Sequence, residues 1–354
     1  MQDGSALEAI IVAHSEALFG RSLTSSQFSV GTIATGTRQI YRVRPTDSRL
    51  PVIVGKARSP RVGEDSKMVF AQTEHEFAVH SAVSNAMVGA GVDHHSVPRP
   101  ILALPKKGLL FMEQAPGDPV ARWISRELLG LARSSDTDKR VRRCGDWLYT
   151  FACRASAVGQ ARQSETAEIL LAAARANHHV YSLIGLSGSL LVEAMLAQVR
   201  RRLRAYRVAP RTTERIESTF STVFRDFSGP RDIQGNVHGK FSIADVLISS
   251  DRVVAIDLEQ AARGSLYLDP AYFLCQLCMI TRWKPFGRDR RLSDLRKAFL
   301  AGRSPSGELD EQLLDAFVAY YLVNSLRPGG GLAGFTARAQ ASHWIDQWLG
   351  RVPA

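Results

Sequence analysis

The sequence lacks the features of a secreted, membrane-spanning or disulfide-bonded protein. Its 354 residues include only four cysteines, and no uninterrupted apolar run approaches the roughly 20 residues that span a bilayer. The N-terminus carries an acid where a secretory signal would carry lysine or arginine. Glu8, His14 and Glu16 interrupt the segment from 6 to 19, which is the pattern of an amphipathic helix. We therefore expect a cytoplasmic protein without a membrane span.

The cysteines also lack the partners that a metal site needs. Cys275 and Cys278 form a Cys-x-x-Cys pair, but no second pair and no nearby histidine supplies the other ligands for zinc. The pair lies in an apolar segment, Tyr-Phe-Leu-Cys-Gln-Leu-Cys-Met. We interpret both as small hydrophobic residues on one face of a helix.

Acidic residues are the minority, so the chain has a net charge of +11, from 45 Lys and Arg against 34 Asp and Glu. A solvated helix face explains the densest basic cluster most simply, and binding to nucleic acid, anionic lipid or another acidic partner is the alternative. Zinc-finger spacing, RNA-binding aromatic motifs and low-complexity tails are absent, so nucleic acid is not an expected partner. The cluster contains Arg200, Arg201, Arg202, Arg204 and Arg207.

The order of predicted elements indicates an α+β protein. The N-terminal part holds short β-prone runs, interrupted by a helix at about 68–87. After Pro116-Gly117 helical patterns dominate, apart from a strand-rich insert near 237–257. The predicted strands of the first part are 27–30, 39–44, 51–56 and 109–113.

Several residues in the N-terminal part fit the handling of a nucleotide. Gly31 and Gly36 bracket a hairpin segment whose backbone could approach phosphate oxygens, although two glycines in a hairpin also serve simply to make a turn. Lys56 ends a strand where its ammonium needs a partner. Glu76, 20 residues later on the predicted helix, is the preferred partner over Glu74. Such a Lys–Glu pair positions a lysine on nucleotide phosphates, and two ordinary surface charges are the alternative.

The segment 237–261 carries the strongest pattern, a loop and two strands separated by a tight turn at 249–251. The hairpin would place Asp245 and Asp257 at neighbouring strand ends. Two carboxylates there suit Mg²⁺, which takes oxygen ligands and keeps several waters. Farther on, Asp269 and Pro270 are predicted as the N-cap and first residue of a helix.

Together these motifs resemble the aminoglycoside-phosphotransferase and choline-kinase-like branch of the protein kinase superfamily. The resemblance rests on His238-Gly239, the hydrophobic strand that follows Asp245, Ile-Asp-Leu-Glu ending at Glu259, and Asp269-Pro270. Upstream, Leu-Phe-Met-Glu-Gln-Ala-Pro-Gly resembles the family's strand and hinge, whose Met-Glu backbone at Glu113 would meet adenine. The resemblance implies a two-lobed protein-kinase-like fold that binds ATP or another nucleoside triphosphate with Mg²⁺. The implied division is a small β-sheet lobe at 1–113, a hinge at 114–118 and a helical lobe at 119–354, with the catalytic and metal loops at 237–260.

The catalytic loop departs from the family pattern at two positions. Lys240 stands where the family has its catalytic Asp, and Asp245 stands where it has a metal-binding Asn. Protonated lysine only donates hydrogen bonds, so Lys240 cannot accept the proton of a substrate hydroxyl. Asp245 keeps an oxygen ligand and adds charge, and the altered pair is expected to form its own contact. His238 is a weaker candidate base, because the resemblance implies a structural role for it.

Three functional interpretations follow from Lys240. The protein is a pseudokinase that binds nucleotide, an atypical phosphotransferase acting on a small hydroxylated molecule, or a protein that uses the nucleotide site for other chemistry. A non-enzymatic module that binds through its basic surface is the alternative from another class. Because the chain is basic, we favour a neutral or anionic hydroxyl compound over a cationic one as a substrate. The oligomeric state is left open.

Overall fold

The structure is a computed structural model of the chain. It describes residues 4–34, 38–58, 66–89, 94–154, 183–225, 227, 231–280, 288–304, 307–326 and 332–351. These residues form two compact units. The first comprises Met1–Pro116 together with Val254–Glu259, and the second comprises Gly117–Val253 and Gln260–Ala354. Residues 254–259 thus belong with the first unit, although the chain on either side of them belongs to the second.

The first unit is built on an antiparallel five-stranded sheet in the order β1–β2–β3–β6–β5. The strands are rich in Val, Ile, Leu and Phe, which suit a half-buried pleated surface. Their bounds, with those of the short β4, are β1 Phe28–Ala34, β2 Arg38–Pro45, β3 Ile53–Arg58, β4 His95–Ser96, β5 Pro100–Leu104 and β6 Leu109–Glu113.

Side chains that alternate along the central strands separate a hydrophobic face from a charged face. Tyr41, Val43, Ile53 and Ala57 point to one face and are buried in a core that also includes residues of α1 (Gly4–Ala13) and α2 (Ser15–Phe19). Lys56 pairs in register with Ile40 of β2, so both lie on the opposite face. The sheet therefore directs Lys56 away from the hydrophobic core.

Helix α3 (Ser66–Gly89) places its polar side chains beside that charged face. Val79 and Val83 are buried on it, and so are Glu76 and His80. Glu74 is exposed, because it lies two residues, or about 200°, around the helix from Glu76. The helix thus presents one glutamate to the interior and one to solvent.

The second unit is mainly helical. A close pair of helices, α5 and α9, lies within it, and glycines allow their backbones to approach. A Cβ added at Gly145 of α5 would lie 2.1 Å from the carbonyl oxygen of Phe299. The helices are α4 Val120–Leu128, α5 Ser134–Arg154, α6 Gly188–Ala205, α7 Pro210–Val223, α8 Leu268–Ile280, α9 Arg288–Arg303, α10 Glu311–Ser325 and α11 Leu332–Arg351.

Short strands interrupt these helices and frame the loop that begins at His238. Strand β8 pairs antiparallel with β11, with Val237 opposite Ala262. The strand β7 pairs with β9 where Asp118 faces Ile248, and Gly117 before it has φ +101° and lies against the Ile248 backbone. Only glycine fits there, which explains its place after Pro116. The short strands are β7 Asp118–Pro119, β8 Gln234–Val237, β9 Val246–Ile248, β10 Val253–Ala255 and β11 Ala262–Ser265.

The strands predicted at 27–30, 39–44, 51–56 and 109–113 are confirmed, and the predicted helix at 68–87 is α3. Cys275 and Cys278 are buried on α8 and form no disulfide, as expected of small hydrophobic residues. The N-cap prediction for Asp269 is wrong, because α8 already begins at Leu268. Within the described part of the chain, no helix combines the length and apolarity that crossing a membrane requires.

Candidate nucleotide-binding site

A buried lysine with two carboxylates lies at the centre of the first unit. Lys56 Nζ lies 2.6 Å from Glu76 Oε1 and 2.6 Å from Asp257 Oδ1. Strand β3 supplies the lysine, α3 supplies the glutamate, and the segment 254–259 supplies the aspartate. The predicted pairing of Lys56 with Glu76 is therefore present, and the structure adds Asp257 to it. A buried ammonium is tolerable here because carboxylates compensate its charge on two sides.

Arg58 forms a second buried contact with the same two elements. It lies two residues after Lys56 on β3, so both side chains leave the same face of the sheet. Its guanidinium contacts Glu259 and donates to Gln72, and its Nη2 lies 3.5 Å from Glu76 Oε2. Lys56 and Arg58 thus hold Asp257 and Glu259, which also lie two residues apart. The two cations tie residues 254–259 to the sheet and to α3.

The electrostatics of this cluster favour an ionised Glu76. Burial by itself would raise the pKa of the Glu76 carboxyl, but the adjacent Lys56 ammonium outweighs it, so the pKa lies below its ordinary value. His80, one helical turn later, has Nε2 3.9 Å from Glu76 Oε1. Burial lowers the pKa of His80 to about 4, so its imidazole is neutral at pH 7. Lys56 and Arg58 are therefore the cations that face Glu76.

Asp257 adopts a backbone conformation that is rare for aspartate. Its φ of 69° lies in the left-handed region, where a non-glycine residue is uncommon and costs energy. Its side chain is 18% exposed and is therefore less deeply buried than that of Glu76. The hydrogen bond from Lys56 Nζ to Asp257 Oδ1 helps to hold this backbone geometry. Strained backbone of this kind often occurs at functional sites.

In the second unit, Asp269 organises the loop after β8. Its buried carboxylate accepts backbone N–H groups from His238 at 2.5 Å, Gly239 at 3.0 Å and Phe241 at 3.3 Å. Burial raises the pKa of Asp269, while His238 and these N–H donors act against that rise. Asp269 therefore caps a loop that is distant in sequence instead of its own helix.

The loop is also held by packing on both sides. Gly239 has φ +87°, and a Cβ there would lie 2.5 Å from Ile184 Cδ1, so no larger residue fits. His238 is fully buried, with its ring edge-on to Trp147 and Phe241 at centroid distances of 6.3 and 5.7 Å. This environment agrees with a structural histidine and leaves no exposed edge for a substrate.

The two altered positions lie on this fixed loop. Lys240 is half-buried, between Gly239 and the buried Phe241. Asp245 accepts a hydrogen bond from Ser242 Oγ at 2.7 Å, and its own N–H donates to the Ser242 carbonyl at 3.0 Å. This local turn orients the Asp245 carboxylate. The expected contact between Lys240 and Asp245 stays a prediction.

The remaining predicted residues lie at the edges of the first unit. Gly31 is exposed on β1, opposite Arg42, and nothing lies within 4 Å of a Cβ built on it. Gly36 lies outside the described residues. Glu113 ends β6, donates its N–H to the Arg99 carbonyl at 2.9 Å and pairs with the Arg99 side chain. The roles of all three in binding nucleotide stay predictions.

Sequence reasoning missed Arg58, Glu259 and His80 as members of the buried cluster. Alternation along β3 could have identified Arg58, since a residue two positions after Lys56 faces the same side. Its contact with Glu259 joins positions 201 residues apart and is visible only in three dimensions. His80 follows Glu76 by one helical turn, and this spacing is too common in helices to have marked the histidine as part of the cluster.

Solved structures show what this arrangement of elements is similar to. The chain aligns with a choline kinase from Cryptosporidium parvum at a TM-score of 0.56 and 14% identity, over 98% of each chain. A Plasmodium vivax ethanolamine kinase gives 0.54 and 8%, over 97% of this chain and 90% of that one. An amicoumacin kinase solved with AMP-PNP and Ca²⁺ gives 0.51 and 12%, over 100% and 97%. The fold is that of these small-molecule kinases.

The α+β, protein-kinase-like fold predicted from the sequence is therefore confirmed. The resemblance to aminoglycoside phosphotransferases and choline kinases is supported at the level of the fold. No protein-family model matches the sequence, and no curated protein does so significantly. At sequence identities of 8–14%, the similarity establishes the fold only, and the activity has to be inferred from the residues of the site.

Proposed function

We propose that this protein is an aminoglycoside-phosphotransferase-like, ATP-binding protein in which Lys56, Glu76 and Asp257 form the phosphate and metal end of the nucleotide site. The observation that carries the proposal is the pair of 2.6 Å contacts from Lys56 Nζ to the two carboxylates. Kinase chemistry uses a strand lysine oriented by a helix glutamate, with an aspartate for the metal. The structural similarity to a kinase solved with AMP-PNP supports a nucleotide as the ligand.

The proposed metal is Mg²⁺, with Asp257 and Asp245 as its protein ligands. Carboxylate oxygens are suitable donors, and Mg²⁺ bound with a nucleotide needs few protein ligands because phosphates and waters complete its shell. When bound, the ion would neutralise phosphate charge.

Lys240 favours a pseudokinase as the functional state. A protonated lysine cannot accept the hydroxyl proton, and the buried ring of His238 is a poor substitute base. Ordinary transfer to a hydroxyl is therefore disfavoured. The first candidate function is reversible binding of Mg·ATP in a binding or regulatory role.

The second candidate is an atypical phosphotransferase acting on a small hydroxylated molecule. Two observations favour it: the Lys56 cluster is assembled within the first unit, and Asp269 holds the altered loop within the second. A loose transition state depends mainly on positioning and charge neutralisation. Lys240 would then stabilise charge on the transferred phosphoryl group.

Nucleotide binding is tested by thermal unfolding with and without Mg·ATP. Ligand at one hundred times its dissociation constant stabilises a protein by about 2.7 kcal/mol. We expect this stabilisation in the natural chain, a small remainder of it in Lys56→Ala, and all of it in Lys67→Ala, because Lys67 is exposed on α3. Lys56→Ala leaves buried carboxylates uncompensated and is expected to lower the stability of the free protein. For each variant we therefore compare thermal unfolding with Mg·ATP against thermal unfolding without it. Lack of stabilisation in the natural chain would contradict the proposal.

Turnover separates the two candidates. Lys240→Asp combined with Asp245→Asn restores the residues that the family resemblance implies, and we expect ATP hydrolysis to rise at least tenfold if only the base is missing. Adding Asp257→Ala to this double variant is the control and should abolish the gain. Significant ATP-dependent phosphorylation of a hydroxyl compound by the natural chain would favour the atypical phosphotransferase over the pseudokinase.

A further inference from the structure

A basic depression on the first unit carries an inference that is independent of the Lys56 cluster. It lies on β1 and β2, where Gly31 pairs with Arg42 and Ser29 pairs with Arg44. Its volume is about 220 Å³, several times the roughly 30 Å³ that one water occupies. Thr32 and Ile33 complete its wall, and no acidic residue lines it.

The two arginines of this depression share one face of β2. They are two residues apart, so their side chains leave the strand on the same side. Arg42 is half-buried and Arg44 is exposed. Gly31, which pairs with Arg42, contributes no side chain to the depression, and nothing lies within 4 Å of a Cβ built on it.

Neither arginine has a carboxylate partner among the described residues. Arg42 Nε is buried, and no described residue lies within hydrogen-bonding distance of it. Buried donors of a cation are normally satisfied, because leaving them without an acceptor is costly. By contrast, the nearby Arg49 makes a 2.9 Å ion pair with Asp47. The depression thus combines two cations with space for an anion.

We infer that this depression binds a phosphate-like anion between Arg42 and Arg44. The planar guanidinium fork matches the oxygen geometry of phosphate, and Ser29 and Thr32 add hydroxyl groups to the wall. The register places the site on the same face of the sheet as Lys56, because Arg42 faces Val54 and Ile40 faces Lys56. A nucleotide and a separate phosphorylated compound are the two possible sources of the group.

The test uses inorganic phosphate as the probe, titrated at constant ionic strength with chloride as the reference anion. Thermal unfolding and isothermal titration calorimetry report the binding. We expect Arg42→Gln with Arg44→Gln to weaken phosphate binding at least about tenfold, since each charge-assisted contact is lost. Arg44→Gln alone changes an exposed residue and should weaken binding without disturbing the fold.

Lys106→Gln with Lys107→Gln is the matched control. Both lysines are exposed and belong to the same unit as the arginines. Their substitution removes two positive charges, as the double arginine variant does. The control should bind phosphate like the natural chain. An equal loss in the control, or a response to phosphate no larger than the response to chloride, would overturn the inference.

Saturating Mg·ATP identifies the source of the phosphoryl group. Loss of phosphate binding under ATP, with weaker ATP but unchanged adenosine binding in the arginine variant, assigns the site to the nucleotide. Retained phosphate binding under ATP assigns it to a separate anion. The inference does not rest on ATP binding, so failure of the Lys56 test leaves the phosphate titration fully informative.

Discussion

At the residue scale, a lysine and a glutamate of the first unit interact while both are buried. Lys56 is 8% exposed and Glu76 is 2% exposed, so their interaction is weakly screened. His80 contributes no positive charge at neutral pH, because burial lowers its pKa to about 4. Its protonation state therefore links the stability of this unit to pH.

The expected pH dependence follows from His80 binding a proton more readily when the chain is unfolded. Between pH 6.5 and about 4 the unfolded chain holds a proton at this site that the folded chain lacks. The free energy of unfolding therefore falls as the pH falls through this range. At pH 5 the loss from this site is about 2 kcal/mol relative to pH 7. Urea unfolding at pH 7 and pH 5 measures this loss in the natural chain and in His80→Gln. The free energy of unfolding of the variant should fall by about 2 kcal/mol less between the two pH values.

The control is His94→Gln, because His94 is exposed in the same unit. This variant should keep the pH dependence of the natural chain. Equal slopes for the natural chain and His80→Gln would show that His80 does not titrate in this range.

At the scale of elements, two glycines set the distance between α5 and α9. A Cβ on Gly302 would lie 2.3 Å from the Arg142 carbonyl oxygen and 2.7 Å from the Asp146 nitrogen. A Cβ on Gly145 meets the backbone of α9 at similar distances. Backbone atoms cannot move aside as a flexible side chain can, so these contacts require glycine.

Gly302→Ala should therefore destabilise the protein although alanine is the better helix former. Overpacking costs about 1–3 kcal/mol or more, which exceeds the gain of roughly 0.5–1 kcal/mol in helix propensity. Gly350→Ala on α11 is the matched control, because nothing lies within 4 Å of its added Cβ. Denaturant midpoints compare the two, and Gly350→Ala should be neutral or slightly stabilising. A neutral Gly302→Ala would mean that the two helices separate easily.

For the whole molecule, the net charge of +11 is the basis of the alternative function, a non-enzymatic module that binds an acidic partner through its basic surface. The basic cluster, which lies at the C-terminal end of α6 and in the turn after it, is only partly solvated. Arg200, Arg204 and Arg207 are exposed, while Arg201 and Arg202 are half-buried, and Arg200 pairs with Glu217 at 2.9 Å. The exposed three are the residues available to an acidic polymer.

Changing these three arginines to glutamine should lower retention on heparin and leave stabilisation by Mg·ATP unchanged. Binding to a polyanion depends on exposed charge and weakens with salt, whereas the Lys56 cluster is buried in the other unit. Elution salt concentration and thermal unfolding measure the two effects. Loss of both together would indicate that the nucleotide and the polymer share one surface.

The sequence by itself determined the element types, the class of fold and much of the candidate site. Period-2 and helical patterns are local properties, so the main strands and α3 could be read from them. The order of motifs from Lys56 to Asp257 identified the kinase-like arrangement, and the spacing selected Glu76 over Glu74. The resemblance also assigned Lys240, from the sequence alone, to the family's catalytic position, and this assignment stays a prediction.

Only the tertiary structure decided which charges meet. Asp257 joins Lys56, Glu259 joins Arg58, and Asp269 binds the loop at His238 instead of capping its own helix. These contacts join residues about 30 to 200 positions apart, and no local pattern encodes the distance between such atoms. Burial likewise sets the protonation of His80, because desolvation depends on the atoms packed around the ring and not on its neighbours in the chain.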